Sequence, residues 1–241
     1  MFKFFRRVRL ALLSESKFSK YLLYALGEIL LVVIGILIAL QINNWNETRK
    51  MRAIEREILH QFVVELTGDV KTLEQKISNG REHILSSTIL IYHLDNKLAY
   101  HDSLNHHFDQ WLGLDPLSFN TSAFNNLESR GLEIISNNEL RNQILHLYTK
   151  KYPEALRVDE YFTSDYHNFL AEINLRYLRN TEWGVEAIPF DYPELIQSNE
   201  FVSALEWSKN ANETNLEWYI STLYTLKVLR NAINIELKLR N

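Results

Sequence analysis

Residues 21–42, YLLYALGEILLVVIGILIALQI, contain a single charged side chain, Glu28, in 22 positions. At a rise of about 1.5 Å per residue this stretch forms roughly 33 Å of helix, enough to cross a hydrocarbon core of about 30 Å. Tyr21 and Tyr24 at one end and Trp45 beyond the other are the aromatic residues expected at membrane interfaces. The sequence therefore predicts a transmembrane helix over residues 21–42.

Three other interpretations of this stretch are weaker. A helix buried in a soluble core rarely stays apolar on every face for five to six turns. A cleaved signal peptide has an apolar core of only about 7 to 15 residues and a small-residue cleavage site, which residues 41–45, QINNW, do not offer. Arg6 and Arg7 suggest a twin-arginine signal, but the rest of that signal is missing. A retained signal anchor fits best.

Charge is divided unevenly along the chain. Residues 1–20 carry a net charge of +5, whereas residues 43–241 hold 20 basic and 28 acidic side chains. The positive-inside rule then favours a cytoplasmic N-terminus, although four basic residues also follow the span: Arg49, Lys50, Arg52 and Arg56. We expect a basic cytoplasmic tail (1–20), the transmembrane helix (21–42) and an extracytoplasmic domain (43–241), which in a bacterium means the inner membrane and the periplasm.

Composition excludes several classes of protein. Seven Gly and four Pro favour long helices over a sandwich or barrel, so an all-α fold is predicted. The absence of cysteine excludes disulfides, thiolate metal sites and cysteine nucleophiles. An acidic body without a Lys/Arg-rich stripe is a poor binder of phosphate backbones, so no nucleic acid partner is expected.

The extracytoplasmic domain reads as a helical bundle. Apolar residues spaced mostly four apart predict one helix over residues 49–79, with a second over 81–98 folding back after Gly80 and a third over 101–112. Asn43 and Asn44 leave it open whether the first of these helices continues from the transmembrane helix.

Local signals predict several helix ends further on. Thr121 or Ser122 is expected as an N-cap and Gly131 as a left-handed residue after the helix end. Asn137 and Asn212 are expected to cap later helices, and a long helix is expected from Tyr152 to about residue 179. Residues 181–193 form the predicted loop, whose aromatic side chains we expect to pack back on the domain: Trp183, Phe190 and Tyr192.

Residues 12–47 resemble the start of a known family. Residues 17–21 (KFSKY), 27–29 (GEI) and 41–46 (QINNWN) are similar to the N-terminal signature of an uncharacterised family of single-pass membrane proteins from Bacteroidota. In that family the signature precedes a helical domain of unknown function. The resemblance implies a bacterial membrane protein and assigns no activity.

Glu28 lies about seven residues inside the predicted span, where a carboxylate is costly without a partner or polar cavity. Val32, Gly35 and Ala39 continue its helical face, and Gly35 and Ala39 form a small-xxx-small pair that lets two helices approach closely. We interpret this face as a seam for a second copy of the chain or another membrane helix. The alternative is an acid tolerated near the interface by snorkelling or protonation.

No cofactor, metal or small-molecule ligand is predicted, because the chain lacks phosphate-binding, nucleophile-elbow and dinucleotide motifs. Asp102 and His106 are spaced to share a helical face beside His101 and His107, but the chain contains no H-E-x-x-H motif. The leading hypothesis is a non-enzymatic interaction or sensor-like module. The alternative is an envelope enzyme or accessory subunit whose site is assembled from scattered carboxylates and these histidines.

Overall fold

A computed structural model describes residues 18–113, 116–179 and 186–239. The N-terminal tail before residue 18 and Trp183 lie outside the described residues, as do the side chains of Tyr21 and Tyr24.

Helices account for nearly all of the described chain, so the all-α prediction is confirmed. The α-helices are α1 (Phe18–Asp95), α2 (Leu104–Gln110), α3 (Ser122–Arg130), α4 (Asn138–His146), α5 (Tyr152–Asp165), α6 (Ala171–Tyr177), α7 (Tyr192–Leu195) and α8 (Asn199–Leu239). A 3-10 turn covers Leu132–Ile134, and π-helical turns at Leu147–Lys151 and Tyr166–Leu170 join α4 to α5 and α5 to α6. Two short antiparallel strands, β1 (Leu178–Arg179) and β2 (Ile188–Pro189), pair Leu178 with Pro189.

The chain divides into two compact units, Met1–Ile54 and Glu55–Asn241. In the first unit α1 is long and apolar enough to cross a membrane, and no residue of its most apolar window is buried by the rest of the chain. The helix passes through Asn43 and Asn44 without a break. Trp45 is exposed, as an interfacial side chain is expected to be.

The turn predicted at Gly80 is wrong, because α1 continues through this residue to Asp95. A Cβ at Gly80 would lie 3.6 Å from the Leu216 side chain of α8, so the glycine sits where the two helices pack side by side. Helix packing offsets the cost of about 1 kcal/mol that glycine carries inside a helix.

The cap predicted at Asn212 is also wrong. Asn212 lies in the interior of α8, where its buried side-chain amide donates to the carbonyl oxygen of Ser208 at 2.9 Å. A separate short helix before residue 212 therefore does not exist. The amide is satisfied within the helix, which removes the main reason for asparagine to favour a helix end.

Other predicted helix ends are confirmed. Asn137 precedes α4, and its side-chain oxygen accepts from the backbone N–H groups of Glu139 and Leu140. Gly131 follows α3 with a φ of 104°, a conformation that L side chains rarely adopt. Thr121 occupies the N-cap position of α3, without a capping hydrogen bond from its own side chain.

The predicted loop after α6 is partly strand. Tyr192 is buried as expected, but the expectation for Phe190 is wrong, because its side chain is 62% exposed. The backbone N–H of Phe190 donates to the carbonyl oxygen of Tyr177, which continues the pairing of β1 and β2 and leaves its ring on the solvent side.

Aromatic side chains form two parts of the core in the unit Glu55–Asn241. In one, Trp111 lies against Phe201 with ring centroids 5.3 Å apart. In the other, Phe124 stacks on Tyr148 at 4.7 Å while Phe62 meets Tyr148 edge-on. Such rings contribute large buried apolar areas, so they hold the short helices and π turns against α1 and α8.

Candidate functional site

An apolar face of α8 remains exposed to solvent. We call it the outer stripe and define it by Ile220, Tyr224, Val228, Asn231, Ile235 and Leu239. Its five apolar side chains are 44% to 78% exposed. At about 100° per residue these positions fall within one arc of about 100°, roughly opposite the buried face of the same helix. A row of large apolar side chains in water is typical of a surface that another molecule covers.

A groove of about 250 Å³ adjoins the outer stripe between α4 and α8. Its lining is mainly apolar and is formed by Glu139, Asn142, Gln143, His146, Thr225, Val228 and Leu229. Gln143 donates from Nε2 to Glu139 Oε1 at 3.0 Å, whereas its Oε1 atom is buried without a hydrogen-bond partner among the described residues. The Oε1 atom is therefore an unsatisfied acceptor buried in the wall of the groove.

A small polar cavity lies between α1, α5 and α8. Lys76 and Asp159 form an ion pair at 3.2 Å, and Asp159 also accepts from the Tyr219 hydroxyl and from the backbone N–H of Leu117. Lys76 Nζ lies 5.6 Å from the centre of the Tyr219 ring. The charges of the pair are compensated by one another and by hydrogen bonds, as buried charges require.

This cavity has a volume of about 20 Å³ and is also lined by His83, Asn212 and Asn215. One ordered water needs roughly 10 to 15 Å³ of such space, so the cavity suits one water with polar partners. It has no room for an organic substrate. His83 is held beside it by a 2.6 Å hydrogen bond between Nδ1 and the carbonyl oxygen of Gln110.

Carboxylates of α1 hold the segment that leads into and out of α3. Glu65 accepts from the N–H of Ala123 at 2.9 Å, and Asp69 accepts from the N–H of Asn120 at 3.1 Å. Glu55 accepts from the N–H of Ser136 at 2.7 Å. Glu65 thereby satisfies an N–H in the first turn of α3, which the Thr121 side chain leaves unbonded.

Burial changes the acid–base behaviour of this region. It raises the pKa of Glu65, an effect that the Ala123 N–H opposes and the nearby Asp69 reinforces. Burial also raises the pKa of Asp69, against the hydrogen bonds from Tyr152 and Asn120. Since both carboxylates bind backbone N–H groups, they position a chain segment and are poorly placed to act on a substrate.

The histidines singled out in the sequence do not converge on a common point. His106 Nε2 lies 3.1 Å from Glu82 Oε1, while His107 Nδ1 lies 3.1 Å from Ser86 Oγ. His101 instead contacts Ser103. Within the described ranges, three or more metal-binding side chains nowhere come together.

Two histidine rings, those of His107 and His93, sit in environments that favour the neutral form. Burial lowers the pKa of His107, and the neighbouring His106 lowers it further. Burial likewise lowers the pKa of His93, whose ring meets the His101 ring at 5.2 Å.

The residues of the predicted membrane seam lie on α1. Glu28 is half-buried, Val32 and Ala39 are exposed, and a Cβ placed on Gly35 would meet open space. They belong to the unit Met1–Ile54.

Sequence reasoning missed the outer stripe. The buried face of α8 was recognisable from Tyr219, Leu226 and Ile233, but a second apolar series with spacings of mostly four runs beside it. A helix with apolar residues on two opposite faces has more apolar surface than one core can cover, and that signal was present in the sequence.

One family model matches the chain. A model described as a family of unknown function (DUF6090) matches residues 28–161, from the apolar stretch to the middle of α5. No curated protein and no solved structure matches the chain. Helix α8 and its outer stripe lie beyond the matched residues.

Proposed function

The chain belongs to the family of unknown function DUF6090, and we propose that it is a single-pass inner-membrane protein of a bacterium with a non-enzymatic interaction module in the periplasm. In this proposal the N-terminus is cytoplasmic, residues 21–42 span the membrane and the remainder binds another protein. The similarity of the N-terminal signature to membrane proteins of Bacteroidota supports the bacterial setting.

The membrane anchor is supported by the apolar surface of α1. Apolar side chains from Leu22 to Ile42 are exposed on all sides of the helix, where only lipid or another helix could cover them. The orientation rests on the basic residues of the tail.

A labelling experiment tests this topology, because the chain has no cysteine of its own. Ser129→Cys places a thiol at an exposed position in the last turn of α3, and Ser14→Cys places one in the tail. In spheroplasts, a membrane-impermeant maleimide should label S129C and leave S14C unlabelled until the membrane is lysed. The opposite labelling pattern, or recovery of the chain in the soluble fraction, would contradict the proposal.

We further propose that Glu28, Val32, Gly35 and Ala39 form a contact with another transmembrane helix, either of a second copy or of a different protein. Gly35→Ile adds bulk where close approach is needed and should weaken association in a membrane reporter assay at least severalfold. Gly27→Ile is the matched control, because Gly27 lies on a different face of the span. Equal effects of the two changes would contradict the seam.

One observation carries the interaction role: the outer stripe of α8 exposes large apolar side chains although the opposite face of the same helix is already packed. An enzymatic role has less support. The polar cavity beside Asp159 is too small for a substrate, and Glu65 and Asp69 accept hydrogen bonds from the backbone.

Photo-crosslinking in living cells tests the interaction role. Benzoylphenylalanine in place of Tyr224 puts a photoreactive ring in the stripe, and the same replacement at Tyr161 is the control, since both tyrosines are about 70% exposed. Illumination should produce a protein adduct from position 224 and none from position 161. Absence of an adduct at 224 would remove the support for an interaction module.

A further inference from the structure

We propose that four histidines, His93, His101, His106 and His107, form an acid-sensitive latch between α1 and α2. Their uncharged rings help to hold α2 against α1 in neutral solution, and their protonation opens α2 while α4 and α8 stay packed. The inference goes beyond the proposed interaction role and makes no use of the outer stripe.

The four rings lie in two pairs where α2 and the segment before it meet α1. The ring centroids of His93 and His101 are 5.2 Å apart, and those of His106 and His107 are 5.4 Å apart. After burial, the main cause that lowers the pKa of His107 is charge on His106, and charge on His93 or His101 lowers it further. Each proton that the cluster binds therefore makes the next one less favourable.

Protonation of His93 places a charged N–H group at a buried position. Its Nδ1 atom is buried and has no hydrogen-bond partner among the described residues. A neutral ring can carry its proton on Nε2 and leave this nitrogen bare, whereas an imidazolium carries a hydrogen on both nitrogens. A buried charged donor without an acceptor is costly, so acid favours a state in which the ring has left this site.

Protonation of His107 disturbs a buried hydrogen bond in the same contact. Ser86 of α1 is fully buried, and its Oγ atom lies 3.1 Å from His107 Nδ1. A neutral ring with its proton on Nε2 accepts from this hydroxyl, but an imidazolium has to donate at the same nitrogen. The Ser86 hydroxyl must then turn its hydrogen away from the ring.

Glu82 of α1 offsets part of the added charge. Its Oε1 atom lies 3.1 Å from His106 Nε2, and its charge opposes the effects of burial and of His106 on the pKa of His107. The carboxylate of Asp109, on α2 itself, accepts a hydrogen bond from the Gln110 side chain at 2.7 Å. The charge of Glu82 is too small to balance four imidazolium groups.

Among the described residues, the side chains of α6, α7 and α8 that bond to or stack on the α2 region are uncharged. Tyr192 of α7 meets the Phe108 ring and stays neutral, because burial raises its pKa. His83 of α1 donates from Nδ1 to the carbonyl oxygen of Gln110, which it can do in either protonation state. Trp111, at the end of α2, contacts Asn174 of α6 and Phe201 and Ser208 of α8.

Helix α2 depends on these neighbours for its stability. It has seven residues, and Ser103 at its N-cap makes no side-chain capping hydrogen bond. A helix of this length is unstable in isolation. Its buried Leu104 and Phe108 pack in one cluster with Leu90 and Leu94 of α1, so opening exposes an apolar surface on both helices. In the proposed function this unit lies in the periplasm, where acid from the medium would reach it.

Hydrogen exchange of the full chain in detergent micelles tests the latch. The stability that the neutral rings supply is complete above the ordinary pKa of 6.5 and is lost as pH falls through the lowered values. After correction for the intrinsic exchange rate, protection of the α2 amides should fall about tenfold from pH 7.5 to pH 5.5, which corresponds to a pKa lowered by about one unit.

Comparison with α4 shows whether the opening is local. At pH 5.5 the amides of α2 should be at least about tenfold less protected than those of α4, because α2 opens while α4 remains on α8. Equal protection of the two helices would show that the unit opens as a whole and would overturn the latch, as would equal protection of α2 at both pH values.

Substitutions identify the groups that bind the protons. In the combined variant His93→Gln/His107→Gln, protection of α2 should change less than about twofold between the two pH values, whereas His60→Gln, at an exposed position on α1, should keep the tenfold fall. A tenfold fall in H93Q/H107Q would overturn the assignment.

Glu82→Gln tests the same idea with all four histidines in place. It removes the carboxylate that favours their charged forms, so the fall in α2 protection on acidification should become larger than in the wild type. An unchanged or smaller fall in E82Q would contradict the latch even if H93Q/H107Q does not fold.

Discussion

Lys76 of α1 and Asp159 of α5 form a buried ion pair, with Nζ and Oδ1 3.2 Å apart, between residues 83 positions apart in the chain. The carboxylate also binds Tyr219 of α8 and the N–H of Leu117, so one side chain links four segments. Asp159 therefore joins α1, α5, α8 and the segment at Leu117.

Replacing Lys76 by Met should destabilise the protein strongly, because it leaves the Asp159 charge buried without its counter-ion. A loss of about 3–5 kcal/mol corresponds to a fall in melting temperature of about 10 °C, measurable by near-UV circular dichroism of the full chain in detergent. Lys209→Met, which removes a more exposed pair with Glu213, is the control and should change stability by less than about 1 kcal/mol. Equal effects of the two variants would show that burial of the pair is unimportant.

Replacing Asn137 by Ala should cost about 0.5–2 kcal/mol through loss of the cap of α4. Asn137→Ser keeps an acceptor for the N–H groups of Glu139 and Leu140 but loses the hydrogen bond that Asn137 donates to Glu236 Oε2 at 2.7 Å. The melting temperature of N137S should therefore lie between those of N137A and the wild type. If N137S is as unstable as N137A, the contact with Glu236 matters more than the cap.

Glu65 should make the protein less stable as the pH rises. Its pKa is raised in the fold, so its favourable contribution is complete below the ordinary value of 4.5 and is lost as pH rises through the raised pKa. Glu65→Gln cannot ionise and should gain a few degrees in melting temperature over the wild type between pH 4 and pH 7. Glu57→Gln, at an exposed position, should show no such gain. If the melting temperatures of E65Q and the wild type differ by the same amount at every pH, the raised pKa of Glu65 is contradicted.

Protonation of His107 should destabilise the protein as the pH falls through the mildly acid range, whereas Glu65 destabilises it as the pH rises. The pKa of His107 is lowered by burial and by His106, with Glu82 opposing, so stability present above pH 6.5 is lost as pH falls through the lowered value. The melting temperature of the His107→Gln variant should therefore fall less between pH 7 and pH 5 than that of the wild type. His60→Gln, at an exposed position, should show the same dependence of melting temperature on pH as the wild type. The same dependence in H107Q would contradict the role of His107 in the loss of stability.

Local signals were sufficient where the deciding interactions are short-range. The scarcity of Gly and Pro predicts helices, and Asn137 predicts a cap because its side chain bonds to residues two and three positions later. The apolar run at residues 21–42 predicts a membrane span because the free-energy cost of exposing it to water depends on its composition alone. The positive φ at Gly131 is likewise local, because it depends on the missing side chain of a glycine at a helix end.

Long-range packing decided the elements that the sequence suggested wrongly. Gly80 reads locally as a turn, but it lies inside α1, where Leu216 of α8, more than a hundred positions later, packs beside it. Asn212 reads locally as a cap but lies buried within a helix of 41 residues. In both cases burial of apolar surface against α1 or α8 outweighs a local preference of about 1 kcal/mol.

The amino-acid sequence by itself determined the helical class, the apolar span and the acidic charge of the larger unit, because these follow from composition and short-range periodicity. Only the tertiary structure decided which apolar face of α8 enters the core and which stays in water, since two faces of similar hydropathy compete for one interior. The groove beside Val228 and the ion pair of Lys76 with Asp159 likewise exist only once distant segments meet.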